Sequence, residues 1–148
     1  MTKQEVKQEI KASPERIFAF VISERMNEVW GEWITGKWDT ADPVGLGSTG
    51  HFETRGTLAS FGKLAGRVTE FEPNKKMTMH NIGAKGKLDA LESIILEPTA
   101  NGTMTTYAID YKVPYSVFGK LIDKLKISKE MSAMHVKMIE NLKRIIET

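Results

Sequence analysis

The chain has 148 residues, 41% hydrophobic and 27% charged, with a net charge of +2 and no cysteine. That length suits one domain, residues 1–148. Disulfides, thiolate catalysis and zinc–thiolate sites are excluded, and the total charge gives no sign of a nucleic-acid binder. No stretch approaches the ~20 apolar residues of a membrane span. The start, "MTKQEVKQEI", lacks the apolar core of a secretory leader, so the expected compartment is the cytoplasm.

In "EVKQEIKA", Val6 and Ile10 fall on one face of an expected first strand. "SPER" then reads as a helix start, with Ser13 as N-cap and Pro14 at the first position, where no amide donor is needed. Ile17, Phe20 and Val21 share that helix's apolar face. A second short helix is expected over "SERMNEVWGEWI", capped by Ser23, with Met26, Val29, Trp30 and Trp33 on its apolar side.

From Thr35 to Val113 the period becomes two. Strands are expected near His51–Thr57, Gly62–Phe71, Met77–Ile82, Ala90–Leu96 and Thr103–Val113. The turn-forming segments "EPNKK", "GAKGK" and "EPTANG" separate them, which predicts an antiparallel meander. After Pro114 the period returns to 3.6. Met131, Met134, His135, Met138, Leu142, Ile145 and Ile146 form one stripe on a helix expected over Ser128–Glu147. The expected fold is α+β: a curved antiparallel sheet of about seven strands wrapped around a long C-terminal helix, with two short helices after the first strand. Only that long helix is large enough to cover the sheet's apolar face. Where the sheet curves away from it, a mostly apolar cavity of order 300–1,000 Å³ is expected.

Four segments carry a resemblance to a known family: "SPERIFAFVISERMNEVW", "GLGSTGHFE", "GRVTEFEPNKKM" and "LEPTANGTMTTYAIDY". The chain resembles the START-like, helix-grip (SRPBCC) superfamily, related in fold to the birch pollen allergen, and most closely its polyketide cyclase/dehydratase branch. The resemblance spans nearly the whole chain and implies a deep, mostly apolar cavity between sheet and C-terminal helix. Its members include lipid carriers, plant hormone receptors, pollen allergens and aromatase/cyclases. The resemblance puts Trp30 at the family's usual tryptophan position, closing one end of the grip.

The candidate ligand-binding residues are Trp30, Trp33, Phe52, Met77, Met79, Tyr107, Tyr111, Met131, Met134, His135 and Met138. Alternation puts Thr103, Thr105, Tyr107, Ile109 and Tyr111 on one face of the last strand. If that face points inward, two phenols enter an apolar space, where they pair with a protein group, a water or a ligand. The methionines are unbranched and suit either an irregular core or an adaptable ligand wall. His135 lies on the apolar helical face, either as a structural residue or as a base for a ligand's polar tip. Glu53, Arg55, Glu92 and Asp110 read as solvated strand charges; an inward one would be costly to bury unpaired and would point to function.

No nucleophile elbow, phosphate loop or metal-ligand spacing is present, so no catalytic residue, metal or cofactor is assigned. The leading expectation is binding or transport of a small hydrophobic molecule such as a lipid, isoprenoid or polyketide. The alternative is a cyclase/dehydratase-type enzyme using the same cavity; a third reading is an interaction or stress protein whose cavity is incidental. Lys112 to Arg144 holds eight bases and three acids, net +5, which could bring the protein transiently to an anionic membrane surface. No nucleic-acid partner is expected, and the oligomeric state is monomer or dimer. Elemental analysis of the purified protein should find no stoichiometric metal; a metal whose chelation abolished function would contradict this reading.

Overall fold

A computed structural model describes residues 2–39, 43–83, 88–112 and 121–148 of the chain. Strand β1 (Thr2–Ile10) leads to helix α1 (Pro14–Val21), a 3-10 turn (Glu24–Met26) and helix α2 (Asn27–Trp30). Six strands follow: β2 (Ile34–Trp38), β3 (Thr49–Thr54), β4 (Lys63–Glu72), β5 (Lys76–Gly83), β6 (Leu88–Pro98) and β7 (Thr103–Lys112). The last element is the long helix α3 (Leu121–Glu147). All neighbouring strands pair antiparallel in the order β1-β7-β6-β5-β4-β3-β2. This is the α+β architecture expected from the period changes along the chain, and the helix-grip arrangement that the resemblance implies.

Local chemistry explains the boundaries. The Ser13 hydroxyl accepts from the Arg16 amide at 3.2 Å, capping α1 with Pro14 in its first turn. Helix α1 then buries Ile17, Phe18, Phe20 and Val21. The helix expected to reach Ile34 stops at Trp30 instead. Gly31, a poor helix former, follows it, and Ile34–Trp38 is recruited into pairing with β3. At the β4–β5 turn Pro73 is followed by Asn74 at φ 66°, a left-handed conformation that Asn tolerates.

Register between β4 and β5 shifts between Val68 and Glu70. The bulge moves the buried side of β4 from Leu64, Gly66 and Val68 to Phe71. Phe71 thereby meets Phe18 edge-on at 5.3 Å between ring centroids. The end of the expected final strand (Val113), the 84–87 part of the "GAKGK" turn and Lys120 lie outside the described residues.

Helix α3 begins at Leu121, earlier than the stripe predicts. Its early residue Leu125 is 58% exposed. From Met131 onward it buries Met131, Met134, His135, Met138, Ile139, Leu142 and Ile146. Polar contacts fasten it to one half of the molecule. Gln4 of β1 donates to the Ser128 carbonyl at 2.8 Å, Arg16 of α1 to the Ile146 carbonyl at 2.7 Å, and Asn141 of α3 to the Val29 carbonyl of α2 at 3.1 Å. The helix thus lies towards β1 and α2.

On the opposite half, β2, β3 and β4 bring glycines against Phe52. In the register Gly36 faces Phe52 directly, and a methyl group at Gly36 would collide with the Phe52 ring and meet the His51 carbonyl at 2.7 Å. Only glycine lets the ring lie flat there. The Asn27 side-chain amide fixes the same residue to α2, donating to the Gly36 carbonyl and accepting its N–H, each at 2.9 Å. Gly36→Ala should therefore destabilise the protein by ~1–3 kcal/mol through overpacking, whereas Gly45→Ala, with open space around it, should stay within ~0.5 kcal/mol. Urea unfolding of both variants checks this, and a Gly36→Ala midpoint equal to wild type would contradict it.

Candidate functional site

The main pocket lies between the α1–α2 segment and the inner face of β2, β3, β5, β6 and β7. The room inside it is about 50 Å³, well below the expected 300–1,000 Å³, and its mouth opens to solvent. Among the described residues none of its lining comes from α3. The expected position, between the sheet and the Met131–Ile146 helix, is largely filled by that helix's own buried side chains. What remains under α3 is a space of about 10 Å³, too small for more than about one water, whose lining includes Val29, Thr105, Met138 and Leu142. The two spaces share Met26, Ile94 and Tyr107 as walls.

The pocket is aromatic on one side. Phe52 meets Trp30 edge-on at 6.3 Å and Trp38 edge-on at 6.5 Å between centroids. Met26, Met77, Met79 and Ile94 supply the aliphatic wall, and Glu24 and Lys37, both exposed, also line it. The indole N–H of Trp30 is buried without a hydrogen-bond partner.

Set into this apolar wall is one carboxyl group, Glu92 of β6. Strand alternation places Leu88, Ala90, Glu92, Ile94 and Leu96 on the same face. Asn81 of β5 donates from its amide to the Glu92 carboxylate at 2.8 Å. Tyr107 of β7 brings its phenol close enough to the same carboxylate to lower its pKa. The three residues come from three neighbouring strands, one diagonal step apart in the register. Gly66 of β4 sits opposite Asn81 and leaves room for it, since a methyl group there would collide with Asn81 Oδ1.

Burial raises the Glu92 carboxyl from its ordinary 4.5 to about 7, although Tyr107 and Asn81 both pull it down. The Tyr107 phenol is pushed well above 10, first by burial and then by the Glu92 charge. Glu92 thus stands near its titration point at neutral pH, and Tyr107 stays protonated. His135 of α3 places its ring 5.0 Å from that of Tyr107, tilted by 42°. Both its nitrogens are buried without partners, and burial lowers it from 6.5 to about 4, so it is neutral at physiological pH.

Of the residues singled out in the sequence, Trp30, Phe52, Met77, Met79 and Tyr107 meet in the pocket wall. Met138 lines the smaller void, and His135 stands behind Tyr107. Trp33, Tyr111, Met131 and Met134 are buried in the core, outside the pocket's described lining; Trp33 lies under the Lys137 ammonium, 5.7 Å from its ring centroid. Glu53 and Arg55 are exposed, as strand charges usually are, and Asp110 is on the outer face. Glu92 corrects the solvated reading: it points inward. The signal was present in its parity, because Leu88, Ala90, Ile94 and Leu96 share its face while Asp89, Ser93 and Glu97 share the other.

His51 and His80 pair separately with Asp39 (2.7 Å) and Asp89 (2.6 Å). Among the described residues no cluster of His, Cys, Asp or Glu could hold a metal ion, and no helix is long and apolar enough to cross a membrane. The basic C-terminal segment is partly neutralised: Lys137 pairs with Glu32 at 3.1 Å and Lys143 with Glu147 at 2.6 Å.

An apolar pocket with one inward-pointing carboxyl group on the sheet, in a helix-grip fold, defines a class of small-molecule-binding domain. The family model described as polyketide cyclase / dehydrase and lipid transport matches residues 1–147, and the chain belongs to that family. A search of curated proteins finds no match. Among solved structures, the chain is similar to the di-domain ARO/CYC StfQ from the steffimycin biosynthetic pathway, with TM-score 0.78 and 12% identity over 98% of this chain and 50% of that one. It is also similar to TTHA0849 from Thermus thermophilus, with TM-score 0.77 and 15% identity over 98% and 97%. The Aha1 dimer from Colwellia psychrerythraea gives TM-score 0.70 and 20% identity over 99% and 97%. At such identities these likenesses speak for the fold.

The two buried groups predict a specific pH dependence. Glu92 is more basic folded than unfolded, so its contribution to stability is present below about 4.5 and lost as pH rises through about 7, by at most ~3 kcal/mol. His135 is less basic folded than unfolded, so its contribution is lost as pH falls from 6.5 through about 4. Between about 4.5 and 6.5 the two slopes oppose each other. Glu92→Gln should therefore be more stable than wild type in urea at about pH 8, and it should lose stability on acidification from about pH 7 to 5 more steeply than wild type. Parallel profiles for the two proteins would contradict this arrangement.

Proposed function

We propose that this protein binds a small, largely apolar molecule in the pocket between the α1–α2 segment and the sheet. The observation that carries the reading is Glu92: a half-buried carboxyl group with two polar neighbours in an otherwise apolar wall. Burying the ligand's apolar surface would contribute ~25 cal/mol per Å², and Glu92 with Tyr107 would fix the orientation of its polar end. The pocket is narrow, and Met26, Met77 and Met79 can shift to widen it. Membership in a family named for polyketide cyclases, dehydrases and lipid transport supports a ligand of this type.

One observation favours a second reading, that of a cyclase/dehydratase-type enzyme. A carboxyl brought to about 7 has the basicity suited to proton transfer at neutral pH, with a protonated phenol beside it. In that case Glu92 would act as the acid–base group and Tyr107 as a donor to a developing oxyanion.

Native mass spectrometry of the freshly purified protein, and titration with the neutral probe N-phenyl-naphthylamine, test the binding reading. A co-purifying small molecule or saturable probe binding is expected. Met79→Trp, which fills the pocket, should weaken probe binding by ~10-fold or more, equivalent to ~1.4 kcal/mol. Absence of any bound species, together with probe binding indifferent to Met79→Trp, would overturn it.

A further inference from the structure

We propose that the pocket selects a cation: a protonated amine on a small apolar body, its ammonium held between the Glu92 carboxylate and the aromatic side of the pocket. The proposal rests on the reading that this pocket takes a ligand, and it adds the ligand's charge.

Glu92 lacks a counter-charge among the described residues. Asn81 gives Glu92 a hydrogen bond and Tyr107 a polar neighbour, but neither brings a positive charge. The titratable and charged groups around it are Tyr107 on β7, His135 on α3 behind Tyr107, Lys37 on β2, and Glu24 in the turn before α2. Tyr107 and His135 are neutral at pH 7, and Lys37 and Glu24 are exposed. A buried carboxylate left without a cation is costly, and an incoming ammonium removes that cost while making a charge-assisted hydrogen bond.

The pocket wall is also rich in rings: Trp30, Trp38 and Phe52 line it, with Tyr107 beside Glu92. A ring face attracts a cation within ~6 Å of its centroid. This chain uses that contact elsewhere with its own side chains, Arg25 over Phe20 at 5.0 Å and Lys137 over Trp33 at 5.7 Å. Aromatic walls beside one carboxylate form the kind of surface that recognises ammonium groups.

A carboxylate-bearing ligand would place like charges together. A neutral alcohol would hydrogen-bond Glu92 but leave its charge uncompensated. The aliphatic lining of Met26, Met77, Met79 and Ile94 suits an apolar body on the ligand. The unpartnered indole N–H of Trp30 remains as a donor for an oxygen on the same ligand.

The test uses three probes that share one apolar body: naphthylethylamine, naphthylethanol and naphthylacetate. Calorimetric titration of the wild-type protein at about pH 8 should give an amine affinity at least ~10-fold above the alcohol, with the acetate weakest. In Glu92→Gln the amine–alcohol difference should shrink to about twofold. Wild type at about pH 5.5, where Glu92 is protonated before binding, should show the same shrinkage, and amine binding there should release a proton. That arm decides the question if the variant does not fold. Amine and alcohol binding equally at pH 8 would overturn the cation proposal while leaving the pocket reading standing. A preference for amine that survives both Glu92→Gln and low pH would overturn the role of Glu92. Binding of none of the three would overturn the proposal and the pocket reading together.

Discussion

A carboxyl group on the inner face of an apolar sheet is the constraint around which the pocket half of this molecule is arranged. Glu92 cannot be left bare, because burying an unpaired charge costs several kcal/mol in real proteins. Two neighbouring strands answer that need. Asn81 reaches it from β5 and Tyr107 from β7, each one diagonal step away. Asn81 in turn needs the space that Gly66 leaves on β4. The compensation is incomplete, since the carboxyl still titrates near 7. A sheet optimised for stability alone would carry an aliphatic residue there. Retaining the acid exchanges stability for a polar anchor in an apolar pocket.

The division of the sheet into two halves follows from how α3 is tied down. Its hydrogen bonds run to β1 and its neighbours α1 and α2, and its buried methionines fill the space beneath it. Over β2, β3 and β5 the cover is the short α1–α2 segment, which is too small to close the space. Phe52 on its glycine bed, flanked by Trp30 and Trp38, forms the floor left open there. Because Met26, Ile94 and Tyr107 wall both this pocket and the void under α3, movement of one flexible methionine could join the two spaces. A larger ligand would then lie partly under the helix.

Much of this fold was legible in the sequence. The Ser13-Pro14 start, the period-two run through the middle and the methionine-rich 3.6-period stripe each correspond to a physical requirement of one element. Sequence and structure diverge where tertiary contacts override local pattern. Helix α2 ends early because Ile34–Trp38 pairs with β3, and α3 begins at Leu121, before the Met131 stripe. Half of the candidate site was also legible: the inward parity of Tyr107, and the aromatic and methionine clusters. Glu92 was missed because a strand charge is usually solvated, and Leu91 and Ile95 on the opposite parity blurred the contrast between faces. Position of the pocket depended on how α3 packs, which no local pattern encodes.

The central claim is that Glu92 is an inward, poorly solvated carboxyl. Carbon-detected NMR of the glutamate side-chain carboxyls across pH measures this directly, with the Glu92 resonance assigned by its absence in Glu92→Gln. The account predicts a midpoint near 7 for that one resonance. A Glu92 midpoint near the ordinary 4.5 would mean that the carboxyl is hydrated and facing water, and the pocket would lack its polar anchor.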